Sequence, residues 1–358
     1  MEQVKTPDPS PILWGTDLIT FANPGYWGLA EDLPHEQWLE AFRNSARTYF
    51  EQMFDIAQEV GLAGIELAPA PADWKTALSA FGTYGALLDA LQKRGLRLSS
   101  SYSPGMLVAD AIADPAKEPE VLAFMTEHAR FVSDMGADII VMGNIPRSRF
   151  GYESPDDTAA PGDFSAPVDP WVHDVYAAQM NRIGAAVGKY GVRIAIHTDA
   201  YSICCRDADI ARVLELTDPA TIQLCPDAGH ITVDGGDAAE ILRHHIQRIP
   251  TMHWKDCVGP VGGHTLRGTR KERHAQVVKN FRILGSGRVN WRAWMAVLEQ
   301  ARWHGWANAE LDSSAAPEDE LRQGLEFFRR ELEPIYPGTA TDLPVSELRV
   351  GESSQGAR

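Results

Sequence analysis

The spacing of apolar residues changes period again and again along this chain, from helical to extended and back. Between Glu36 and Val60 the residues Trp38, Phe42, Tyr49, Met53, Ile56 and Val60 keep mostly to one face of a long helix. Gly61 stops that helix, and LAGIELAP gives a short strand closed by Pro69. The alternation then repeats. Tyr84, Leu87, Leu88 and Leu91 mark a helix before LRLSSSY, and Val121, Phe124, His128, Phe131 and Met135 line the next one before ADIIVMG. Helices from about Trp171 to Tyr190, Asp207 to Leu216 and Ala238 to Ile246 precede VRIAIH, TIQLCPD and IPTMHWKD. A last interior helix carrying Trp294, Val297 and Leu298 precedes WANAELD. With ILWGTDLI at the start, eight strand candidates alternate with helices, which predicts a closed parallel (β/α)₈ barrel. Glycines just before several strands supply the expected helix stops, and no Gly-x-Gly-x-x-Gly follows the first strand, which disfavours a dinucleotide fold.

The barrel is expected over residues 12–335 as a single domain, with an extension at 1–11 and an irregular Gly-, Pro- and Ser-rich tail at 336–358. Two long loops break the rhythm, at 144–170 after strand four and 257–283 after strand seven. Both fall on the C-terminal end of the barrel, where such folds bind substrates. The second holds Arg267, Arg270, Lys271, Glu272, Arg273 and His274, a cationic run that reads equally as a solvated loop or as a lid or subunit contact.

Composition narrows the function. The chain has 358 residues, 44% of them hydrophobic, and a formal net charge of −16. That balance argues against a nucleic-acid binder, which needs clustered cations against phosphate. No run of 18 apolar residues suits a membrane span, and MEQVKTPDPSP lacks the basic and apolar regions of a secretory signal. Cys204, Cys205, Cys225 and Cys257 form no disulfide framework or Cys-x-x-Cys pair, so a cytoplasmic protein with free thiols is expected.

Strands five to eight each end on a metal-binding type of residue: His197, Asp227, His253 and Glu310. A barrel brings equivalent strand ends together, so these four are the expected metal ligands. Alone, each reads better as a hydrogen-bonded strand end. Two imidazoles and two carboxylates suit a divalent transition ion better than Mg²⁺ or Ca²⁺. Mn²⁺ is the first expectation, with Co²⁺, Fe²⁺ and Zn²⁺ behind it. His230, three residues past Asp227, reads as a donor to a substrate oxygen, a proton shuttle or a group orienting Asp227. Lys255 shares the face of His253 and can stabilise an enolate, position a hydroxyl, or simply pair with Asp256 or a neighbour. Glu66 ends strand two, as a base or as a partner to a lysine or substrate hydroxyl. Asp199 can hold a substrate hydroxyl or a neighbouring histidine. Tyr102, Trp14, Asp17, Trp27 and Asn144 are candidate pocket walls, with packing the stronger reading for both tryptophans. His128, His244, His245 and His304 fall on helices and stay outside the site.

In VRIAIHTDAY, LCPDAGHITVDGGD, MHWKD, ILGSGRVNW and GWANAELD the sequence resembles the xylose-isomerase-like TIM-barrel superfamily of sugar isomerases and epimerases. The inosose-dehydratase-like branch is the most similar. The resemblance is best over 190–312 and extends more weakly through IELAP to the first strand. It implies a metal held by His197, Asp227, His253 and Glu310. Epimerases and isomerases of this group usually place glutamate where this chain has His197, and use it with the strand-eight carboxylate to move protons. That departure shifts the expectation from C3 epimerisation towards elimination.

The expected function is therefore a metal-dependent lyase: β-elimination, by dehydration or glycoside cleavage, on an oxidised cyclitol or 3-oxo-sugar through an enediolate. His230 or Glu66 is the expected base, and Lys255 the group that holds the enediolate charge. The alternatives are an aldose–ketose isomerase or epimerase, a metal-dependent endonuclease weakened by the acidic charge, and a non-catalytic sugar-binding barrel. The expected partner is a small polyhydroxylated ketone or sugar. A homo-oligomer is expected, and the resemblance to barrels that cleave 3-oxo-glycosides brings in a small partner subunit as a further option.

Overall fold

The computed structural model describes residues 11–147, 167–266 and 270–336. Eight parallel strands form the wall of a barrel: β1 (Ile12–Asp17), β2 (Gly64–Leu67), β3 (Arg97–Ser103), β4 (Ile139–Met142), β5 (Arg193–His197), β6 (Ile222–Cys225), β7 (Thr251–Trp254) and β10 (Gly305–Ala309). They run in the order β6-β5-β4-β3-β2-β1-β10-β7. Each expected strand is present. IIVM in β4 and IQLC in β6 are buried at every position, the near-continuous apolar run of a parallel strand covered on both faces. The gap between β6 and β7 is spanned by one parallel bridge, Asp227 to His253, and by the His253 amide donating to the Pro226 carbonyl at 3.0 Å. The barrel thus closes where two of the expected metal ligands pair.

Twelve α-helices are described: α1 (His35–Val60), α2 (Trp74–Phe81), α3 (Tyr84–Gln92), α4 (Met106–Ala113), α5 (Glu118–Asp134), α6 (Pro170–Val187), α7 (Asp207–Leu216), α8 (Ala228–Val233), α9 (Ala238–His245), α10 (Arg270–Val278), α11 (Trp291–Ala301) and α12 (Pro317–Phe327). The amphipathic pattern explains α1, whose Trp38, Phe42, Met53, Ile56 and Val60 are all buried. Gly61 caps it in the left-handed region at φ 88°. The sequence pattern missed α2, α4, α8, α10 and α12. Most are short, and α8 owes its start to Asp227, whose side chain accepts the His230 amide.

The two expected loops differ. Most of 144–170 lies outside the described residues. The 257–283 segment is structured: α10 and a two-stranded antiparallel pair, β8 (Asp256–Cys257) with β9 (Phe281–Arg282). In its cationic run Arg267 lies outside the described residues, and Arg273 is buried rather than solvated.

MHWKD shows how alternation sorts roles. His253 and Lys255 face the barrel interior, while Trp254 packs outward on Trp14, Trp291, Trp294 and Phe328. Asp256 accepts the amides of Cys257, Gly285, Gly287 and Val289 and the indole N–H of Trp291, which folds the ILGSGRVNW segment against the barrel. The suggested Lys255–Asp256 pair does not form, because neighbouring residues point to opposite faces.

Candidate metal centre

His197, Asp227, His253 and Glu310 stand at the C-terminal ends of β5, β6, β7 and β10, all buried. One ligand atom from each lies within 4.8 Å of the others. Every one of the four is held by one atom and free at another. His197 is paired through Nδ1 with Asp199 Oδ1 at 3.1 Å. Asp227 Oδ1 accepts the His230 amide at 2.7 Å. His253 Nε2 meets Glu66 Oε1 at 3.1 Å. Glu310 Oε1 accepts from the Lys255 ammonium at 2.7 Å. The remaining atoms are His197 Nε2, Asp227 Oδ2, His253 Nδ1 and Glu310 Oε2. These same four are buried without a hydrogen bond. His197 Nε2 lies 3.7 Å from Asp227 Oδ2 and 3.9 Å from Glu310 Oε2, and His253 Nδ1 is in close contact with Glu310 Oε2. Buried polar atoms are rarely left unpaired, because each costs about 1–3 kcal/mol. Four converging on one point fit a cation.

The electrostatics agree. Burial alone would lower the proton affinity of His197, yet Asp199 and Asp227 outweigh it and raise the group well above the ordinary histidine value. His253 is raised in the same way, burial being outweighed by Cys225, Glu66 and Glu310. Burial also pushes the Glu310 carboxyl up, but Lys255 and His253 hold it well below the usual range. The centre is a well for positive charge, one that a divalent ion would fill without a second proton on either imidazole.

The surrounding residues form three sets. Lys255 is fully buried; besides Glu310 it meets Asp312 at 2.6 Å and Asp227 at 3.5 Å, and these carboxylates outweigh burial to keep it charged. The residue Gly229 permits this, since a Cβ there would stand 2.9 Å from both Cγ and the carbonyl of Lys255. His230 accepts the Ala200 amide at Nδ1, 3.0 Å away, so its proton sits on Nε2. Burial and then the Lys255 charge lower its pKa to about 4, and a neutral N–H donor results. Phe281, carried in on β9, closes over this pair, 4.3 Å from the Lys255 ammonium and 4.7 Å from the His230 ring.

The candidates from strands one to four are placed differently. Glu66 is fully enclosed, bound by His253, Ser100 and Asn308. Asp17 shares the interior with Glu66 and His253 and accepts the Ile19 amide at 2.7 Å; burial and the two glutamates Glu66 and Glu310 raise its pKa well above the ordinary value. Tyr102, near the C-terminal end of β3, is half-buried against Ile139, Val141, Ala195 and Cys225. Asn144 is no free pocket wall: its side chain bonds the carbonyls of His197 and Cys204 and the Ile145 amide. Trp14 points outward, 5.0 Å from Trp254 and 4.7 Å from Phe328. Trp27 packs on Tyr26 and Tyr49. Sequence reasoning missed Asp312 and Phe281. Asp312 was within reach, since it lies two residues past Glu310 on the same strand end.

Fold and site together define a barrel enzyme of the lyase or isomerase/epimerase type. More closely, residues 54–331 match the model of the xylose isomerase-like TIM barrel family, and the chain belongs to that family. It is 28% identical over 235 residues to an inosose dehydratase of Geobacillus thermodenitrificans, covering 64% of this chain and 74% of that protein. It is 24% identical over 235 residues to the inosose dehydratase of Bacillus velezensis, with 66% and 75% covered. Among solved structures, the probable 3-DHS dehydratase AsbF of Bacillus anthracis superposes with a TM-score of 0.62 at 13% identity, covering 89% of this chain and 99% of that one. The IOLI protein with a bound zinc atom gives 0.62 at 10% identity, covering 90% and 99%. A D-allulose 3-epimerase from Methylomonas gives 0.56 at 15%, covering 90% and 98%. These three share the fold. No helix among the described residues is long and apolar enough to cross a membrane.

Proposed function

We propose that the protein is a metal-dependent lyase that carries out β-elimination on an oxidised cyclitol or 3-oxo-sugar, releasing water or a glycosidic group. The observation that carries the metal half is the convergence of four buried, unpaired ligand atoms from β5, β6, β7 and β10. The similarity to inosose dehydratases supports the elimination half. His197 Nε2, Asp227 Oδ2, His253 Nδ1 and Glu310 Oε2 would hold a divalent transition ion, with Mn²⁺ first and Co²⁺, Fe²⁺ or Zn²⁺ as alternatives. When bound, such an ion supplies Lewis-acid polarisation of a ketone, which acidifies the neighbouring C–H.

The chain's own groups then divide the work. Lys255, charged and dry, stabilises the developing enediolate oxygen. His230 offers an N–H to the departing oxygen as a hydrogen-bond donor only, because its other nitrogen is engaged by Ala200 and the neutral ring has no second proton to give; the departing oxygen takes up the proton removed from the neighbouring C–H. Glu66 is equally unsuited to accept the substrate proton and orients His253 instead. That acceptor role passes to Asp312, whose carboxylate pairs with Lys255 at the mouth. Tyr102 forms a wall. The substrate is a small polyhydroxylated ketone. The location is cytoplasmic, in keeping with four free buried cysteines. A homo-oligomer or a small partner subunit completes the mouth, which light scattering of the purified protein would test.

The deciding experiment is incubation of the Mn²⁺- or Co²⁺-loaded protein with oxidised cyclitols and 3-oxo-glycosides in deuterated water, followed by mass analysis. Loss of water or of the glycosidic group, dependent on the ion, is the expected result. Deuterium uptake at unchanged skeleton mass would replace this reading with isomerisation or epimerisation. Binding without exchange or loss would leave only a sugar-binding barrel.

A further inference from the structure

We infer that Asp199 is a positioning residue for the bound cation: it fixes the tautomer and orientation of His197 so that Nε2, and not Nδ1, faces the ion. The inference rests on the metal reading above. Asp199 Oδ1 stands 3.1 Å from His197 Nδ1, which places the proton there and leaves the Nε2 lone pair directed at Asp227 and Glu310.

The carboxylate is itself held. Its Oδ2 accepts the Asn144 amide at 2.8 Å. The Asn144 side chain reaches back to the carbonyls of His197 at 3.1 Å and Cys204 at 2.9 Å. A backbone bridge from Pro146 to Ser202 ties the same two segments again. The connection after β4 therefore grips the connection after β5 through Asp199 and Asn144, and the ring of His197 inherits that rigidity.

His253 is arranged with the opposite polarity. Glu66 takes its Nε2, so His253 presents Nδ1. The two imidazoles thus approach the centre through different nitrogens, each fixed by its own carboxylate. The supports differ in how enclosed they are: the Asp199 side chain is 34% exposed, whereas Glu66 is shut inside the barrel. Shortening Asp199 consequently removes the hydrogen bond without opening a hole in the core.

Titration calorimetry of the metal-free protein with Co²⁺ alone tests this, with the visible absorption of bound Co²⁺ as a second readout. Asp199→Ala is expected to weaken binding about 10–100-fold and to change the Co²⁺ band. Asp199→Asn keeps an oxygen that accepts the same N–H and should recover most of the affinity. In a His197→Ala background, Asp199→Ala should cost nothing further. Thermal melting of the metal-free variants checks that each is folded. Wild-type affinity in Asp199→Ala would overturn the positioning role while leaving the metal site intact. So would a further loss in the His197→Ala background, which would show that Asp199 acts on the ion through its charge. A wild-type protein with no affinity for Co²⁺, Mn²⁺ or Zn²⁺ would instead sink the metal reading itself.

Discussion

The mouth of the barrel has two halves with the same kinds of side chain in opposite states. On the side of β1 to β4, Glu66 and Asn144 are bonded at both ends of their polar groups, and Asp17 accepts a backbone amide. On the side of β5, β6, β7 and β10, four ligand atoms are left without a hydrogen bond. A carboxylate or imidazole at a strand end is thus not a functional residue by type. It becomes one when its partners satisfy one atom and withhold the other. The satisfied half supports; under the proposed function the unsatisfied half would bind.

The sharpest test of this contrast strikes the unsatisfied half. Asp227→Ala and His253→Ala should each empty the centre of metal and lower turnover about a thousandfold or more, with far-ultraviolet circular dichroism unchanged. Normal metal content in both would end the distinction between the halves. Lys255→Met comes next. It should lower kcat about a hundredfold through the lost enediolate stabilisation and cost about 3–5 kcal/mol in a denaturant melt, because Glu310 and Asp312 lose a buried counter-charge. A smaller effect is expected in the satisfied half, where Glu66→Gln retains an acceptor for His253 and should weaken Co²⁺ binding about tenfold in calorimetry.

Two further substitutions should leave the chemistry untouched. His128 is buried against Trp74, and burial and then the Lys75 charge lower its pKa from 6.5 to about 3. The folded protein therefore holds fewer protons than the unfolded chain in this interval. Its stabilising contribution is complete above pH 6.5 and is lost as pH falls towards 3, at about 1.4 kcal/mol per pH unit for one group. His128→Leu should flatten urea midpoints measured between pH 6 and 4. Trp14→Ala should cost about 3–5 kcal/mol of stability and leave the kcat of the folded fraction within twofold. A large fall in kcat would return Trp14 to the pocket.

How far the sequence discloses this arrangement follows from how each element is buried. All eight barrel strands were visible because a parallel strand covered on both faces is a short apolar run between glycines and helices. The convergence of His197, Asp227, His253 and Glu310 was visible because strand order converts four distant positions into neighbours. Helix α10 was hidden by its polarity, and β8 with β9 by having only two residues each. The packing reading of Trp14 could have been made firmer from its spacing alone. Trp14 and Asp17 are three residues apart on one strand, so they cannot both face the interior, and Asp17 takes that side. Sequence left the readings of His230 and Glu66 open, because what decides between them is the Ala200 amide and the bonds from Ser100 and Asn308, which strand ends do not announce. Phe281 had no periodic signal and arrives only through its pairing with Cys257.

The lone bridge from Asp227 to His253 gives the centre a second meaning. Every other neighbouring pair in the wall shares a ladder of hydrogen bonds, whereas this seam is nearly bare backbone. A cation gripped by residues on both its sides, as proposed, would act as a rivet, so occupancy and closure of the cylinder would become one equilibrium. Stripping the ion should first loosen the sixth and seventh staves, long before the rest of the wall gives way.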